Sequence, residues 1–304
     1  MSAAREENHV IYCLDMVKAY GANVVLDDID FKVSRGEFVT VVGPSGCGKS
    51  TMLRLILGQE RHTSGTMLID GREIYHPDVT RGIVFQRYSL FPHLTAMENV
   101  MIGKLFTATC LELLGSMETS RDEAMYYLKK VGLEDDAKKK PHQLSGGQQQ
   151  RVAIAQALIM KPEILMMDEP YGALDPYTRE DLQMFILEVW EETGMTIFFV
   201  THDLEEAVFL GSRVVAFSQY YSDGRHGLKH GARIVSDYDL GRSIKSTEVK
   251  KSPAFSDLIH RIRHESFEPK FCQSVKAFNQ THPDSFMTLT EEQGAVAAEV
   301  VESI

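Results

Sequence analysis

The chain alternates uninterrupted apolar runs with stretches of helical spacing, which is the pattern of an α/β fold. Phe38–Val42 is an apolar run typical of a buried strand, and residues 51–57 behind it repeat apolar positions every three to four residues. Turn-forming residues bound the other apolar runs. Strands are predicted at residues 10–14, 24–26 continuing through 29–33, 64–71, 82–86, 164–170, 196–203, 214–217 and 233–235, with turns at 20–23 and 34–37.

Helical periodicity predicts the remaining elements. Residues 96–139 read as helical, and we expect an inserted α-helical subdomain over about 93–158. Its apolar stripes hold Met97, Val100 and Met101, then Ala124, Leu128 and Val131. Further helices are predicted at 149–159 and 181–192, and Ser252 followed by Pro253 predicts the start of another. Neither the 218–230 stretch nor the 268–304 tail carries a recognisable motif.

The segment between the first buried strand and its helix reads G-x-x-x-x-G-K-S, a phosphate-binding loop. Its glycines let successive N–H groups converge on one anion, and the following helix adds its positive dipole end. We expect Lys49 to reach the β- and γ-phosphates of a nucleotide and Ser50 to hold Mg²⁺. A helix N-terminus is also expected to lower the thiol pKa of Cys47, so that alkylation there would block activity. The loop and first helical turn comprise Gly43, Pro44, Ser45, Gly46, Cys47, Gly48, Lys49, Ser50 and Thr51.

A second anion site is predicted where Leu144-Ser145-Gly146-Gly147-Gln148, called the signature below, opens a helix. Ser145 is placed as an N-cap, and Gly146 and Gly147 leave backbone N–H groups uncovered. A helix N-terminus of this kind suits a phosphate.

Polar residues follow three of the predicted strands. Asp168 can hold Mg²⁺, and the adjacent Glu169 can orient and deprotonate an attacking water. Gln86 ends the 82–86 strand, and His202 ends the 196–203 strand, at the sheet edge where open α/β sheets bind ligands. Tyr20 lies in a turn and could stack on a purine. Taken alone, Gln86, His202 and Tyr20 are better explained as a strand-end amide, a structural histidine and a packed tyrosine.

Composition narrows the class of protein. The net charge of −11 argues against a nucleic-acid binder that relies on a basic face. No stretch approaches the roughly 18 apolar residues of a membrane span, and the opening residues lack the apolar segment of a signal peptide, so we expect the chain to stay inside the cell. The cysteines are far apart, which predicts neither disulfides nor a zinc site. They are Cys13, Cys47, Cys110 and Cys272.

These motifs, in this order and spacing, resemble the ATP-binding subunit of an ABC transporter. The resemblance runs from about residue 10 to 240, and the signature before a helix is its most specific part. It implies a P-loop NTPase core with an antiparallel β subdomain and the α-helical subdomain that carries the signature. It divides the chain into an ABC ATPase domain, 1–240, and a C-terminal helical extension and tail, 241–304.

The resemblance also implies a role for each motif residue. Tyr20 would stack on adenine, the phosphate loop would bind the phosphates of ATP, and Ser50, Gln86 and Asp168 would hold Mg²⁺. Glu169 would be the general base, His202 would contact the γ-phosphate, and Gln86 would sense the attacking water. Because the chain has one copy of each motif, Ser145, Gly146, Gly147, Gln148 and Asp175 would complete the site of a second copy in a homodimer.

Within the family, the sequence is similar to the importers of nitrate, sulfonate and taurine. That likeness implies a permease in the membrane, docking between Arg87 and Thr95, a periplasmic or extracellular solute-binding protein, and a location on the cytoplasmic face of the membrane. The solute itself does not contact this subunit.

Two other functions are open: an ABC ATPase that moves no solute and acts in DNA maintenance or on ribosomes, and a nucleotide sensor without turnover. An ABC ATPase of DNA maintenance would separate the loop from the signature by a coiled coil, whereas residues 50–144 show no sustained heptads. Ribosome-acting members usually carry two cassettes, and this chain carries one. A nucleotide sensor without turnover would have no use for a base at Glu169.

Overall fold

The computed structural model describes residues 9–86, 90–105, 117–172, 174–222, 231–241, 247–269 and 273–274. Of these, 105, 117, 118, 273 and 274 are described by their backbone alone. The elements in chain order are β1 His9–Tyr20, β2 Asn23–Ser34, β3 Phe38–Val42, α1 Lys49–Leu57, β4 Ser64–Ile69, β5 Arg81–Val84, α2 Ala96–Leu105, α3 Met117–Lys130, a 3-10 turn Pro141–Gln143, α4 Gly146–Leu158, β6 Ile164–Asp168, α5 Pro176–Thr193, β7 Thr196–Val200, α6 Leu204–Leu210, β8 Arg213–Ser218, β9 Tyr221–Ser222, β10 Arg233–Asp239, a 3-10 turn Thr247–Lys251, α7 Pro253–Phe267 and β11 Gln273–Ser274.

The chain divides into two units. The first comprises Met1–Pro77 with Val200–Ile304, and the second comprises Asp78–Phe199. In the first unit, β2, β1 and β4 form an antiparallel sheet. A second set of strands there places β8 between β3, which runs parallel to it, and β10, which runs antiparallel. The predicted closing strand pair is therefore confirmed.

The first two strands are longer than the sequence predicted. Each has 12 residues, and the register between them shifts around the segment from Cys13 to Met16. Asp15 and Asp28 take left-handed backbone angles, with φ of 49° and 54°. Such bulges interrupt the apolar–polar alternation on which strand prediction depends, and this is why only the regular parts were recognised.

The second unit contains the strands β7, β6 and β5, adjacent in that order, with β5 and β6 parallel. Helices α2, α3 and α4 belong to the same unit. Val100 on α2 and Ala124 and Leu128 on α3 are fully buried, which confirms the predicted apolar stripes there, whereas Met101 on α2 is only half-buried. The prediction that helix continues to residue 139 was wrong, because α3 ends at Lys130, and Gly132 follows with a φ of 65° that a helix cannot continue through.

The C-terminal helix α7 belongs to the first unit and begins as predicted. Ser252 is its N-cap, with its hydroxyl accepting the Phe255 N–H at 3.2 Å, and Pro253 is the first helical residue. The short helix α6 was not predicted, because its residues follow β7 after only three positions. In the part of the chain that is described, no helix combines the length and the apolar character needed to cross a bilayer.

Candidate functional site

The phosphate loop belongs to the first unit and joins β3 directly to α1. Glycine is required at Gly43, because a Cβ there would lie 2.1 Å from the Phe217 carbonyl oxygen. Gly46 and Gly48 adopt φ of 82° and 92°, a region that side-chain-bearing residues rarely occupy. Gly48 is the N-cap of α1 and provides no side chain to accept the first helical N–H groups. These donors are therefore suited to an external anion.

Lys49 places its charge inside this loop. The residue is only 8% exposed, and its Nζ donates to the carbonyl oxygens of Gly43 at 2.7 Å and Pro44 at 3.0 Å. Within the loop the ammonium is thus met by dipoles and by no carboxylate. A buried cation of this kind, beside uncapped N–H groups, fits the phosphates of a nucleotide. Ser50, the next residue, is exposed in the first turn of α1.

The predicted low thiol pKa of Cys47 was wrong. The residue is only 2% exposed, and burial raises the pKa of its thiol above the ordinary value. The Lys49 charge and the backbone N–H groups act in the opposite direction without overcoming burial. Native Cys47 is therefore a poor nucleophile, and its alkylation is no longer expected to be facile.

Tyr20 ends β1 and is held from two sides. Its hydroxyl donates to the Glu60 carboxylate, and the Lys18 Nζ lies 4.6 Å from the centroid of its ring. Lys18 also forms an ion pair with Glu60 at 3.0 Å. The tyrosine hydrogen bond, followed by Lys18, lowers the pKa of Glu60. Tyr20 as a whole is 45% exposed, so its ring is accessible and can stack on a flat ligand.

His202 lies in the first unit, exposed in the short connection between β7 and α6. The residues on either side of it are fixed by local hydrogen bonds. The Thr201 hydroxyl donates to Glu206 at 2.9 Å, and the Asp203 carboxylate caps α6 by accepting the N–H groups of Glu205 and Glu206. The connection therefore gives His202 a fixed backbone.

In the second unit, the structure brings Gln86 and Glu169 together. Strands β5 and β6 pair in parallel, with Val84 opposite Met167, so the segments that follow them begin side by side. The Gln86 Nε2 donates to the Glu169 Oε2 at 2.9 Å. This hydrogen bond fixes the orientation of the Glu169 carboxylate.

Asp168 and Glu169 adjoin but differ in backbone conformation. Asp168 is the last residue of β6 and is half-buried, whereas Glu169 has a left-handed φ of 46°. A non-glycine residue in this region carries strain, which occurs most often at functional sites. The carboxamide oxygen of Gln86 and the carboxylate of Asp168 are ligand types that Mg²⁺ prefers.

The signature caps its helix as predicted. The Ser145 hydroxyl accepts the Gln148 N–H at 3.2 Å, and the Gln148 side-chain oxygen accepts the Ser145 N–H at 2.9 Å, a reciprocal capping box. Gly146 and Gly147 occupy the first turn of α4 and are half-exposed. A Cβ on Gly147 would lie 3.0 Å from the Leu174 Cδ2, so a larger residue there would require the leucine side chain to shift.

Asp175 is the N-cap of α5, where its carboxylate accepts the Thr178 N–H at 3.0 Å. This bond lowers the pKa of Asp175, so the carboxylate is ionised at neutral pH. Residues 87–89 and Ala173 lie outside the described residues.

The sequence did not indicate Lys18, Glu60 or Asp136, which contact predicted site residues. Glu60 is 40 positions from Tyr20, and Asp136 is 12 positions from Gln148. The Asp136 carboxylate accepts a hydrogen bond from the Gln148 Nε2 at 2.7 Å. No periodicity or motif connects residues at such separations.

Comparison with known proteins gives concordant results. Residues 26–172 match the family model of the ABC transporter. The nitrate import ATP-binding protein NrtD of Synechocystis sp. is 46% identical over 199 residues, covering 65% of this chain and 72% of that protein. The taurine import ATP-binding protein TauB of Escherichia coli O157:H7 is 39% identical over 252 residues, covering 83% and 94%.

A solved structure has the same fold. It is the dimeric structure of a post-hydrolysis state of the ATP-binding cassette MJ0796 bound to ADP and Pi. It superimposes with a TM-score of 0.64 at 35% identity, covering 77% of this chain and all of that one.

Proposed function

The chain belongs to the ABC transporter family as an ATP-binding, ATP-hydrolysing subunit with the α/β P-loop NTPase fold, and we propose that it powers the import of a small oxyanion-bearing solute such as nitrate, a sulfonate or taurine. The observation that carries this proposal is the 39–46% identity to subunits named for nitrate and taurine import, together with a complete set of motif residues.

ATP binding begins at the phosphate loop. The Lys49 ammonium and the uncapped N–H groups of α1 provide donors for the β- and γ-phosphates, while the exposed Tyr20 ring stacks on adenine. His202 contacts the γ-phosphate. When bound, Mg²⁺ would neutralise charge on the phosphates, and Ser50, Gln86 and Asp168 are the residues that would hold it.

Hydrolysis uses Glu169 as the proton acceptor. A water attacks the γ-phosphorus as the bond to the β–γ bridging oxygen breaks, giving ADP and inorganic phosphate, and the Glu169 carboxylate takes a proton from that water. The Gln86 amide orients this carboxylate through its 2.9 Å hydrogen bond.

A second copy of the chain completes each site. The α4 N-terminus carries Ser145 and bare glycine N–H groups, which suit a γ-phosphate bound to the partner copy. Asp175 faces the same interface. The dimeric state of the MJ0796 relative supports this homodimer. ATP would close the pair and hydrolysis would release it.

The remaining partners follow from the importer assignment. A membrane permease docks near the segment from Arg87 to Thr95, and a periplasmic or extracellular solute-binding protein delivers the solute. The subunit then lies on the cytoplasmic face of the membrane. Residues 1–240 form the ATPase domain, with its helical insert at about 93–158, and 241–304 form a C-terminal extension.

One experiment tests the assignment. The tagged chain is purified with its copurifying membrane protein, reconstituted in vesicles that enclose ATP, supplied with the solute-binding protein outside, and assayed for uptake of labelled nitrate, taurine and an uncharged sugar. We expect uptake of nitrate or taurine and none of the sugar. Glu169→Gln should lower ATP turnover by at least about 10²-fold while retaining ATP binding and accumulating ATP-bound dimers.

Glu188→Gln, on the exposed face of α5, is the matched control and should behave as wild type. Wild-type turnover in Glu169→Gln would remove Glu169 from the mechanism. Uptake of the sugar alone would overturn the proposed solute class.

A further inference from the structure

The signature is anchored to a residue outside its own helix. Both ends of the Gln148 side-chain amide are used: its Oε1 accepts the Ser145 N–H at 2.9 Å, and its Nε2 donates to the Asp136 Oδ2 at 2.7 Å. Asp136 precedes α4 in the turn that follows α3, and nothing in the family motif identifies it.

Asp136 is itself held in place. Its other carboxylate oxygen, Oδ1, pairs with the Lys139 Nζ at 2.6 Å, so each oxygen has its own partner. The surrounding turn is closed by backbone bonds from Asp136 N to Leu133 O at 3.1 Å and from Lys139 N to Asp136 O at 2.9 Å. Carbonyl oxygens of the same turn cap α2, since Ala96 N donates to Lys139 O at 2.8 Å. Gln148 is therefore tied to a well-supported carboxylate.

This contact determines which way the Gln148 amide faces. A carboxylate can only accept, so it selects the Nε2 end and leaves the Oε1 end for the Ser145 N–H. With the amide reversed, Nε2 would meet another donor at Ser145 and the capping box would fail. In the observed orientation the Ser145 hydroxyl accepts the Gln148 N–H at 3.2 Å, so its lone pair faces the helix and its proton is free to point outward.

We propose that Asp136 is a positioning residue that fixes the Gln148 amide so that the Ser145 hydroxyl can donate to the γ-phosphate bound by the partner subunit. The functional half of this inference rests on the proposed function, in which the signature completes the site of a second copy. Asp136 itself touches no nucleotide and acts through Gln148.

Two measurements test it on the full-length chain. The first is hydrogen exchange of the peptide over residues 144–149 in the nucleotide-free protein. Asp136→Ala should accelerate exchange of these amides about tenfold, since a hydrogen bond to a charged group is lost. Asp136→Asn retains an acceptor oxygen and should stay within about threefold of wild type. Asp135→Ala, which removes an exposed neighbouring charge, should leave exchange unchanged.

The second measurement is made in the Glu169→Gln background, where ATP-bound dimers accumulate. Asp136→Ala should weaken ATP-driven dimerisation about tenfold in sedimentation, with the ATP affinity of the dilute subunit unchanged, and Asp136→Asn should restore most of it. If Asp136 had only a general structural role, Asp136→Ala would lower dimerisation and the ATP affinity of the dilute subunit together.

Unchanged hydrogen exchange in Asp136→Ala would disprove that Asp136 anchors the signature. Equal acceleration in Asp135→Ala would show that the effect comes from the local negative charge and not from the hydrogen bond to Gln148. Altered exchange with unaltered dimerisation would overturn the functional role. Failure of the Glu169→Gln parent to dimerise with ATP would contradict the proposed function and leave the exchange result to decide the anchoring.

Discussion

At the scale of single residues, Lys49 combines burial with a charge that its own loop meets with two carbonyl dipoles and the Cys47 thiol, and with no carboxylate. Two carbonyl oxygens at 2.7 and 3.0 Å hold the ammonium in position before any ligand arrives. Dipoles compensate a buried charge less completely than a carboxylate or phosphate does. The residue is therefore organised for binding at some cost to the stability of the free protein.

Lys49→Met should separate these two effects. Nucleotide affinity should fall at least tenfold, about 1.4 kcal/mol, because the charge-assisted bonds to phosphate are lost. The free energy of unfolding of the nucleotide-free protein should be unchanged or higher, because a buried charge is replaced by an apolar chain of similar length. Binding of a fluorescent ATP analogue and urea denaturation measure the two quantities.

The control is Lys138→Met, at an exposed position of the second unit, which should alter neither. Wild-type affinity in Lys49→Met would contradict the phosphate cradle.

At the scale of elements, helix caps define where the functional loops end. Ser145, Asp175 and Asp203 each satisfy N–H groups at the start of a helix. The C-terminal helix α7 has the same device at Ser252. It is also attached to neighbouring strands, where the Ser218 hydroxyl donates to the Ser266 carbonyl at 2.8 Å and the Ser236 hydroxyl to Glu265 at 2.7 Å. Helix α7 is thus an integral part of the first unit.

Alanine substitutions at two serines, the N-cap of α7 and a residue within that helix, should change the free energy of unfolding in opposite directions. Ser252→Ala removes the cap and should lower the free energy of unfolding by about 1 kcal/mol. Ser256→Ala, at an exposed position in the first turns of the same helix, should raise it by a few tenths of a kcal/mol, because alanine has the higher helix propensity. Thermal unfolding followed by circular dichroism compares them, and equal shifts would disprove the cap.

At the scale of the whole molecule, folding is coupled to pH through one buried carboxyl group. Asp30 is 1% exposed, and its pKa is raised from 3.8 to about 7. Burial is the main cause and the neighbouring Asp28 and Asp15 charges add to it, while the Asp15 N–H and the Arg233 charge act in the opposite direction. The folded state therefore binds a proton that the unfolded state has released between about pH 4 and 7. Stability is lost over this interval as pH rises.

Asp30→Asn should remove this dependence. The wild-type midpoint of urea denaturation should fall through this group as the pH rises from about 4 to 7, whereas the variant should show a flatter profile over that interval and a higher midpoint at pH 8. Asp257→Asn, exposed on α7, is the control and should keep the wild-type slope. An identical slope in Asp30→Asn would show that Asp30 is ionised throughout.

The sequence allowed the local parts of the site to be predicted because they depend on consecutive residues. The phosphate loop, the Ser145 cap and the acidic end of β6 are of this kind. What could not be predicted depends on distant partners or on burial: Asp136 beneath Gln148, Glu60 beneath Tyr20, and the raised thiol pKa of Cys47. The lengths of β1 and β2 were hidden by bulges at Asp15 and Asp28, where the period-two pattern breaks.

Asn99 couples α2 to the segment that precedes it, and this coupling determines how a mechanical force would be transmitted within the second unit. Its side chain is fully buried, donates to the carbonyl oxygens of Phe91, Leu94 and Thr95, and accepts the Phe91 N–H. One side-chain amide thereby ties the segment from Phe91 to Thr95 to α2. The segment is expected to move with the helix and not independently of it. A partner that pulls on Phe91 would therefore rotate α2, together with the turn whose Lys139 carbonyl oxygen accepts the Ala96 N–H.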